Sequence, residues 1–222
     1  MNTIDEASVL YKQAVEYEKK QRLNSDNKKD YILADKLREE LRIKLDVESN
    51  YLCDLTYRKI IDDKCIPILI KYIPLFKNIG ISLDLIAQQL YRKNNKECSN
   101  FLEKWYYELK KNNKLTPVVE NTLDNAFVKI RDKDKIPFYI ELIKENNKFP
   151  FVMEMLGKWN VIDAKPMIIN RLENDGIKTS SIRALGYYND KATIPLIEKY
   201  VESDYLGVRK EAKKVMDKLS NL

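Results

Sequence analysis

The side chains in this chain best suited to chemistry are aromatic and basic. Trp159 and Tyr188 could stack on flat rings such as nucleobases. Trp105, Tyr106 and Tyr107 form a dense aromatic cluster. Packing also accounts for them. Trp159 ends the apolar stripe Val152, Met155, Leu156, and Tyr188 ends the stripe Ile177, Ser181, Leu185, both at helical spacing. Of three consecutive aromatics on a helix, one or two must face the core. Carboxylates occur as the adjacent pairs Glu39-Glu40 and Asp62-Asp63. Neighbouring helix positions diverge by about 100°, so such pairs do not converge on one substrate bond and read as solvated surface.

The composition removes most other chemistry. The chain has 0 His, which excludes histidine acid–base catalysis, histidine-based triads and most zinc sites. No glycine-rich phosphate loop, metal-ligand spacing or Ser-x-x-Lys arrangement is present. Cys53, Cys65 and Cys98 make an odd count without a CxxC, as expected of reduced thiols in a cytoplasmic protein. No cofactor and no metal are expected, and nothing points to an enzyme.

The elements that must position these residues are helical. Of 222 residues, 44% are hydrophobic and 33% charged, with only 5 Gly and 7 Pro. That is enough apolar content for a core, with few breakers. The longest apolar run is around Ile66–Ile70, far short of the roughly 20 residues a membrane span needs. The first residues, Met1 to Glu6, lack a basic stretch followed by an apolar one, so no secretion signal is expected. Abundant Lys, Asn, Ile and Tyr suggest an AT-rich, bacterial genome.

Pro137, Pro166 and Pro195 recur every 29 residues. Each opens an apolar run, and proline suits the first turn of a helix, where its missing N–H costs nothing. Leu156-Gly157 and Leu185-Gly186 share the same spacing, and the glycines fit helix C-caps. Such a period predicts stacked helical hairpins. Ile66-Pro67 opens an earlier one. The second member of the next hairpin is expected over Thr116–Ile130, behind a first helix over Cys98–Lys111. Five hairpins are expected, at about 64–93, 97–131, 134–160, 163–189 and 192–220. Residues 1–62 read as a separate helical hairpin, Ile4–Arg22 and Tyr31–Ile60 around a polar turn, that caps the array over 63–222.

Ile177-Lys178-x-x-Ser181-x-x-Ala184-Leu185-Gly186, followed by Asp190-x-Ala192-x-x-Pro195-Leu196, resembles the short HEAT-like repeat of the PBS-lyase type. Val208-Arg209-x-x-Ala212-x-x-Val215-Met216 repeats its core, and Lys148-x-x-x-Val152-x-x-Met155-Leu156-Gly157 is a degenerate copy. The resemblance covers about the last 90 residues well. It implies an all-α, right-handed α–α superhelix, in which the second helix of each hairpin lines a concave face. It says little about function.

Aligning Leu90, Phe127, Leu156, Leu185 and Met216 as equivalent core positions puts Arg92, Lys129, Lys158, Tyr187 and Lys218 two residues later. Two residues earlier stand Gln88, Asn125, Glu154, Arg183 and Lys214. Two readings remain open. The cations lie near helix C-termini, where each complements the helix dipole by about 0.3–1 kcal/mol. Alternatively, Arg92, Lys129, Lys158, Arg183, Tyr187 and Lys214 form one basic concave ridge. On the second reading the chain is a non-enzymatic scaffold, an adaptor or an immunity or antitoxin-like protein, that binds a protein with an acidic surface. The alternative is nucleic-acid binding in the manner of the HEAT-like alkylpurine DNA glycosylases. Their pairing of an acidic residue with groove aromatics has one local parallel here, Glu154 with Trp159. The name of the repeat type adds a tetrapyrrole lyase or chaperone as a further rival.

Overall fold

The structure is a computed structural model that describes residues 6–46, 48–51, 54, 63–91, 94–145, 148–174 and 176–222. It is all-helical: the described residues form twelve α-helices joined by short 3-10 turns, with no strand among them. No helix among them is long and apolar enough to cross a membrane. The chain divides into two compact units, residues 1–105 and 106–222. The division expected at 62/63 falls at a segment, 55–62, outside the described residues.

In the N-terminal unit, α1 (Glu6–Arg22) and α2 (Lys28–Leu45) flank a 3-10 turn at Ser25–Asn27. The Asn24 side chain caps that turn by accepting from the Asp26 N–H at 3.0 Å. α2 buries Tyr31, Ala34, Leu37 and Leu41 on one face. The helix expected to run to Ile60 stops at Leu45, because Asp46 takes a left-handed conformation (φ 54°). Asp is one of the few non-glycine residues that tolerates it. α3 (Ile66–Tyr72) follows a 3-10 turn at Asp63–Cys65, carries Pro67 in its first turn and packs on α2. α4 (Ile79–Gln89) is capped by Asn78. Buried Asp30 of α2 accepts from the Lys77 and Asn78 N–H groups, both at 2.8 Å, and so fixes the approach to α4.

Glu39 and Glu40 are consumed by surface pairing. Glu39 bonds Arg42, and Glu40 meets Lys44, Lys71 and the Tyr72 hydroxyl. The hydrogen bond from Lys44, followed by those from Lys71 and Tyr72, pulls the Glu40 carboxyl down to about 2. Asp62 and Cys53 lie outside the described residues, and Cys65 and Cys98 are buried.

α5 (Lys96–Lys111) enters the C-terminal unit at Tyr106. There Tyr106 is buried and Tyr107 partly exposed, and the Tyr106 ring meets Phe138 and Phe149 edge-on at 5.7 and 5.9 Å. Next come α6 (Pro117–Ile130), α7 (Ile136–Glu145), α8 (Pro150–Lys158), α9 (Lys165–Asn170), α10 (Lys178–Tyr187), α11 (Ile194–Glu198) and α12 (Leu206–Ser220). They form two layers. α6, α8, α10 and α12 pack successively on one another, while α7, α9 and α11 each pack on the inner helix that follows. Pro137, Pro166 and Pro195 hold the second positions of α7, α9 and α11. A 3-10 turn precedes each of these helices, starting at Lys133, Ile162 and Lys191.

Two expectations about this unit are corrected. Gly157 and Gly186 are not C-caps. They lie inside α8 and α10, and no glycine among the described residues has positive φ. They permit close helix approach instead. A Cβ on Gly157 would stand 2.6 Å from the Ala184 carbonyl oxygen, and one on Gly186 would stand 2.8 Å from both Val215 methyls. The left-handed turns that end the inner helices fall on Arg131, Asn160 and Asn189 (φ 58°, 55° and 52°), again 29 residues apart. The alignment also slips by one in α12. Val215 is buried against Gly186 and Met216 is half-exposed, so Met216 is not the equivalent of Leu185.

Polar contacts tie each hairpin to the one before. Asp124 of α6 accepts from the Phe151 and Val152 N–H groups at 2.9 and 2.8 Å, capping the otherwise unpaired start of α8. Arg171 donates to the Ile143 and Lys144 carbonyls at 2.7 and 3.0 Å. The Tyr188 and Tyr200 hydroxyls donate to the Val161 and Leu172 carbonyls at 2.8 and 3.0 Å.

Asp124 has no exposed surface. Burial outweighs its two amide donors and pushes its carboxyl up to about 7, with Glu154 adding to the rise. A folded-state pKa above the ordinary value means that the folded chain holds this proton more tightly. The resulting stability is complete below about pH 3.8 and is lost as pH rises through 7. Asp124→Asn carries no such proton. Urea midpoints at pH 4.5–7.5 should therefore show the wild type losing stability relative to this variant as pH rises. A constant difference between the two would contradict the assignment.

Candidate surface on the inner helices

The predicted ridge residues separate into three groups. Arg92 lies outside the described residues, as does the Gln88 side chain. Lys129, Lys158 and Lys214 are exposed, on α6, α8 and α12. Lys129 makes no ion pair with any described residue, and Lys214 only approaches Glu211, at 4.0 Å. Arg183, by contrast, is half-buried and engaged on both sides. Its guanidinium donates to Glu154 at 2.8 Å and to Glu211 at 2.9 Å. The Glu211 hydrogen bond, followed by the charge of Glu154, raises its pKa well above the usual arginine value.

This arrangement is a charge ladder across the inner layer. Lys148, just before α8, pairs with buried Glu120 of α6 at 2.9 Å, and Arg183 of α10 joins α8 to α12. Removing one partner of such a partly buried pair is costly, because the other charge is left uncompensated. Arg183 therefore belongs chiefly to the internal scaffold, whereas Lys129, Lys158 and Lys214 belong to the surface.

Tyr187 ends α10 with Lys158 Nζ at 4.9 Å and Lys218 Nζ at 5.6 Å from its ring centroid. Cations from two neighbouring helices thus share one aromatic ring, an attraction worth about 0.5–1 kcal/mol each at exposed sites. Lys218 also donates to the Gly186 carbonyl at 2.7 Å, near the end of α10. Lys218 thus caps the neighbouring helix rather than its own, while Lys129 and Lys158 stand in the last turns of α6 and α8.

The aromatic candidates also divide. Tyr188 is buried and hydrogen-bonded, and burial pushes its hydroxyl up to about 12. Trp159 is half-buried, 6.3 Å from the Tyr139 ring, with Lys133 Nζ 5.7 Å away. It lines a pocket of about 190 Å³ with Val128, Arg131, Phe151, Met155 and Lys158, and Glu154 completes the wall. Arg131 and Phe151 escaped the sequence reading. Phe151 follows the proline that opens α8 and is 39% exposed, a large apolar side chain left beside a pocket. Arg131 sits where the next two repeats carry Asn160 and Asn189, and that substitution at a fixed spacing is visible in the sequence.

Among the described residues no group of three or more His, Cys, Asp or Glu is placed to hold a metal ion. Compared with family models, curated proteins and solved structures, the chain matches none.

Proposed function

We propose that the C-terminal unit belongs to a right-handed HEAT-like solenoid of the short PBS-lyase repeat type. Its inner helices form a concave face that binds an acidic protein surface without catalysis. The observation that carries this reading is the set of exposed lysines, Lys129, Lys158 and Lys214, displayed on α6, α8 and α12 of one stacked layer. Arg183 and Tyr187 hold the surface between them in shape. Exposed lysines on neighbouring helices of one layer add to one local field, which steers an acidic partner and sets its register. An adaptor or an immunity-type inhibitor works by this kind of occlusion.

Arg183 is unsuited to a charge-reversal test, because a glutamate there would join Glu154 and Glu211 and destabilise the layer. The triple variant Lys129→Glu, Lys158→Glu, Lys214→Glu keeps Arg183 and both of its carboxylates, and the only ion pair among the described residues that it loses is the long Lys214–Glu211 approach. Tagged wild type and triple variant, each confirmed folded, are compared by quantitative mass spectrometry after recovery from the organism of origin. An acidic protein retained by the wild type and depleted at least tenfold with the variant is expected. Equal retention would move the interface off this face. Recovery of nucleic acid in place of protein would favour phosphate binding, with affinity falling linearly in log salt.

A further inference from the structure

We propose that the pocket beside Trp159 takes a single aromatic side chain from an acidic segment of the protein partner, making this pocket the anchor of the interface. The proposal rests on the reading above and names the residues that give it specificity. The pocket measures about 190 Å³. Small-molecule and cofactor sites run from about 300 to 1,000 Å³. An apolar cavity of about 150 Å³ holds benzene. One aromatic ring therefore matches this volume, and a cofactor does not.

The walls suit such a ring. Val128, Phe151, Met155 and Trp159 supply apolar and aromatic surface, with Phe151 39% exposed and Trp159 half-buried. The Glu154 carboxylate in the wall is bound by Arg183 at 2.8 Å, so it does not present a free negative charge to an acidic visitor. The rim is cationic. Arg131 and Lys158 line the pocket, Lys133 stands 5.7 Å from the Trp159 ring, and exposed Lys129 is on the adjoining turn of α6. A partner segment with carboxylates flanking one aromatic complements this distribution, and buried aromatics are the residues that dominate interface energetics.

Arg131 supplies an independent indication. Among the described residues six non-glycine positions have positive φ: Asp46, Asn94, Asn113, Arg131, Asn160 and Asn189. Five are Asp or Asn, whose short side chains suit that conformation. Arginine has no such advantage, and the one exception lines this pocket, its Nε donating to the Val128 carbonyl at 3.3 Å. Residues held in sparsely populated backbone conformations cluster at binding sites.

The test uses the full chain and two synthetic pentapeptides, acetylated and amidated: Asp-Glu-Phe-Glu-Asp and its control with alanine in place of phenylalanine. Binding is followed by nuclear magnetic resonance through the two tryptophan indole N–H signals, Trp105 and Trp159. The phenylalanine peptide is expected to shift Trp159 and not Trp105, and to bind at least fivefold more tightly than the control. Arg131→Asn should weaken it at least fivefold while raising the melting temperature, since asparagine already serves at the equivalent positions. Lys158→Gln should weaken both peptides. Equal binding of the two peptides with Trp159 unmoved overturns the pocket and leaves the basic stripe standing. Binding of neither at millimolar concentration overturns both. Tighter binding of single-stranded DNA, with a log-salt slope, also overturns both.

Discussion

Gly157→Ala should destabilise the C-terminal unit by about 2–3 kcal/mol, the cost of forcing an extra methyl into a closed contact. In an ordinary helix interior the same change stabilises by roughly 1 kcal/mol, because alanine is the better helix former. The opposite sign is expected here because the new Cβ would lie 2.6 Å from the Ala184 carbonyl oxygen. A backbone atom of a packed helix cannot turn aside, so α8 and α10 must separate. Gly186 faces the same constraint in softer form. Its Cβ would meet the Val215 methyls at 2.8 Å, and those belong to a side chain. Gly186→Ala should therefore be rescued, at least in part, by Val215→Ala in the same chain. Urea unfolding of the four glycine and valine variants, read as a double-mutant cycle, checks this. A Gly157→Ala variant as stable as the wild type would refute the close contact.

Leu185→Asp should cost more than about 4 kcal/mol. Losing a buried leucine alone costs about 2–5 kcal/mol, and a carboxylate in its place has no partner. Leu185 has no exposed surface and sits in α10, between α8 and α12. Packing in this layer runs from each helix to its neighbours, so the damage should spread outward from α10. Hydrogen exchange should show protection lost in α8 and α12 before the N-terminal unit. Wild-type melting of this variant would mean that the position is not core.

The all-helical fold is legible in the sequence because hydrophobic spacing and proline placement are local signals. Pro137, Pro166 and Pro195 stand in first helical turns for the reason their chemistry dictates. What spacing cannot separate is the two uses of glycine. Positive φ and close approach both favour a missing Cβ, and Gly157 and Gly186 serve the second, while Asn160 and Asn189 end the helices. The end of α2 is missed for a related reason: Asp46 terminates it without glycine or proline.

The surface is legible by position and not by pairing. Lys129, Lys158 and Lys214 are exposed, as solvent-facing helix positions should be. Arg183 is expected on the same ridge, yet it is half-buried and bound by carboxylates 28 and 29 residues away, one on each neighbouring helix. One cue was available. Glu154 and Arg183 occupy the same place in successive repeats, and opposite charges at one place in adjacent repeats form a ladder. The pocket beside Trp159 depends on the backbone at Arg131 and on how far Phe151 leaves the core, which only three-dimensional packing reveals.

The central claim is that the inner helices of the C-terminal unit are the binding face. Hydrogen exchange of the chain with and without the co-purified acidic protein tests it most directly. The account predicts slowed exchange on complex formation around Lys129 and Arg131 at the end of α6, Lys158 at the end of α8 and Lys214 in α12, with the outer helices α7, α9 and α11 unchanged. Slowed exchange confined to those outer helices, or to residues 6–46 of the N-terminal unit, would contradict it.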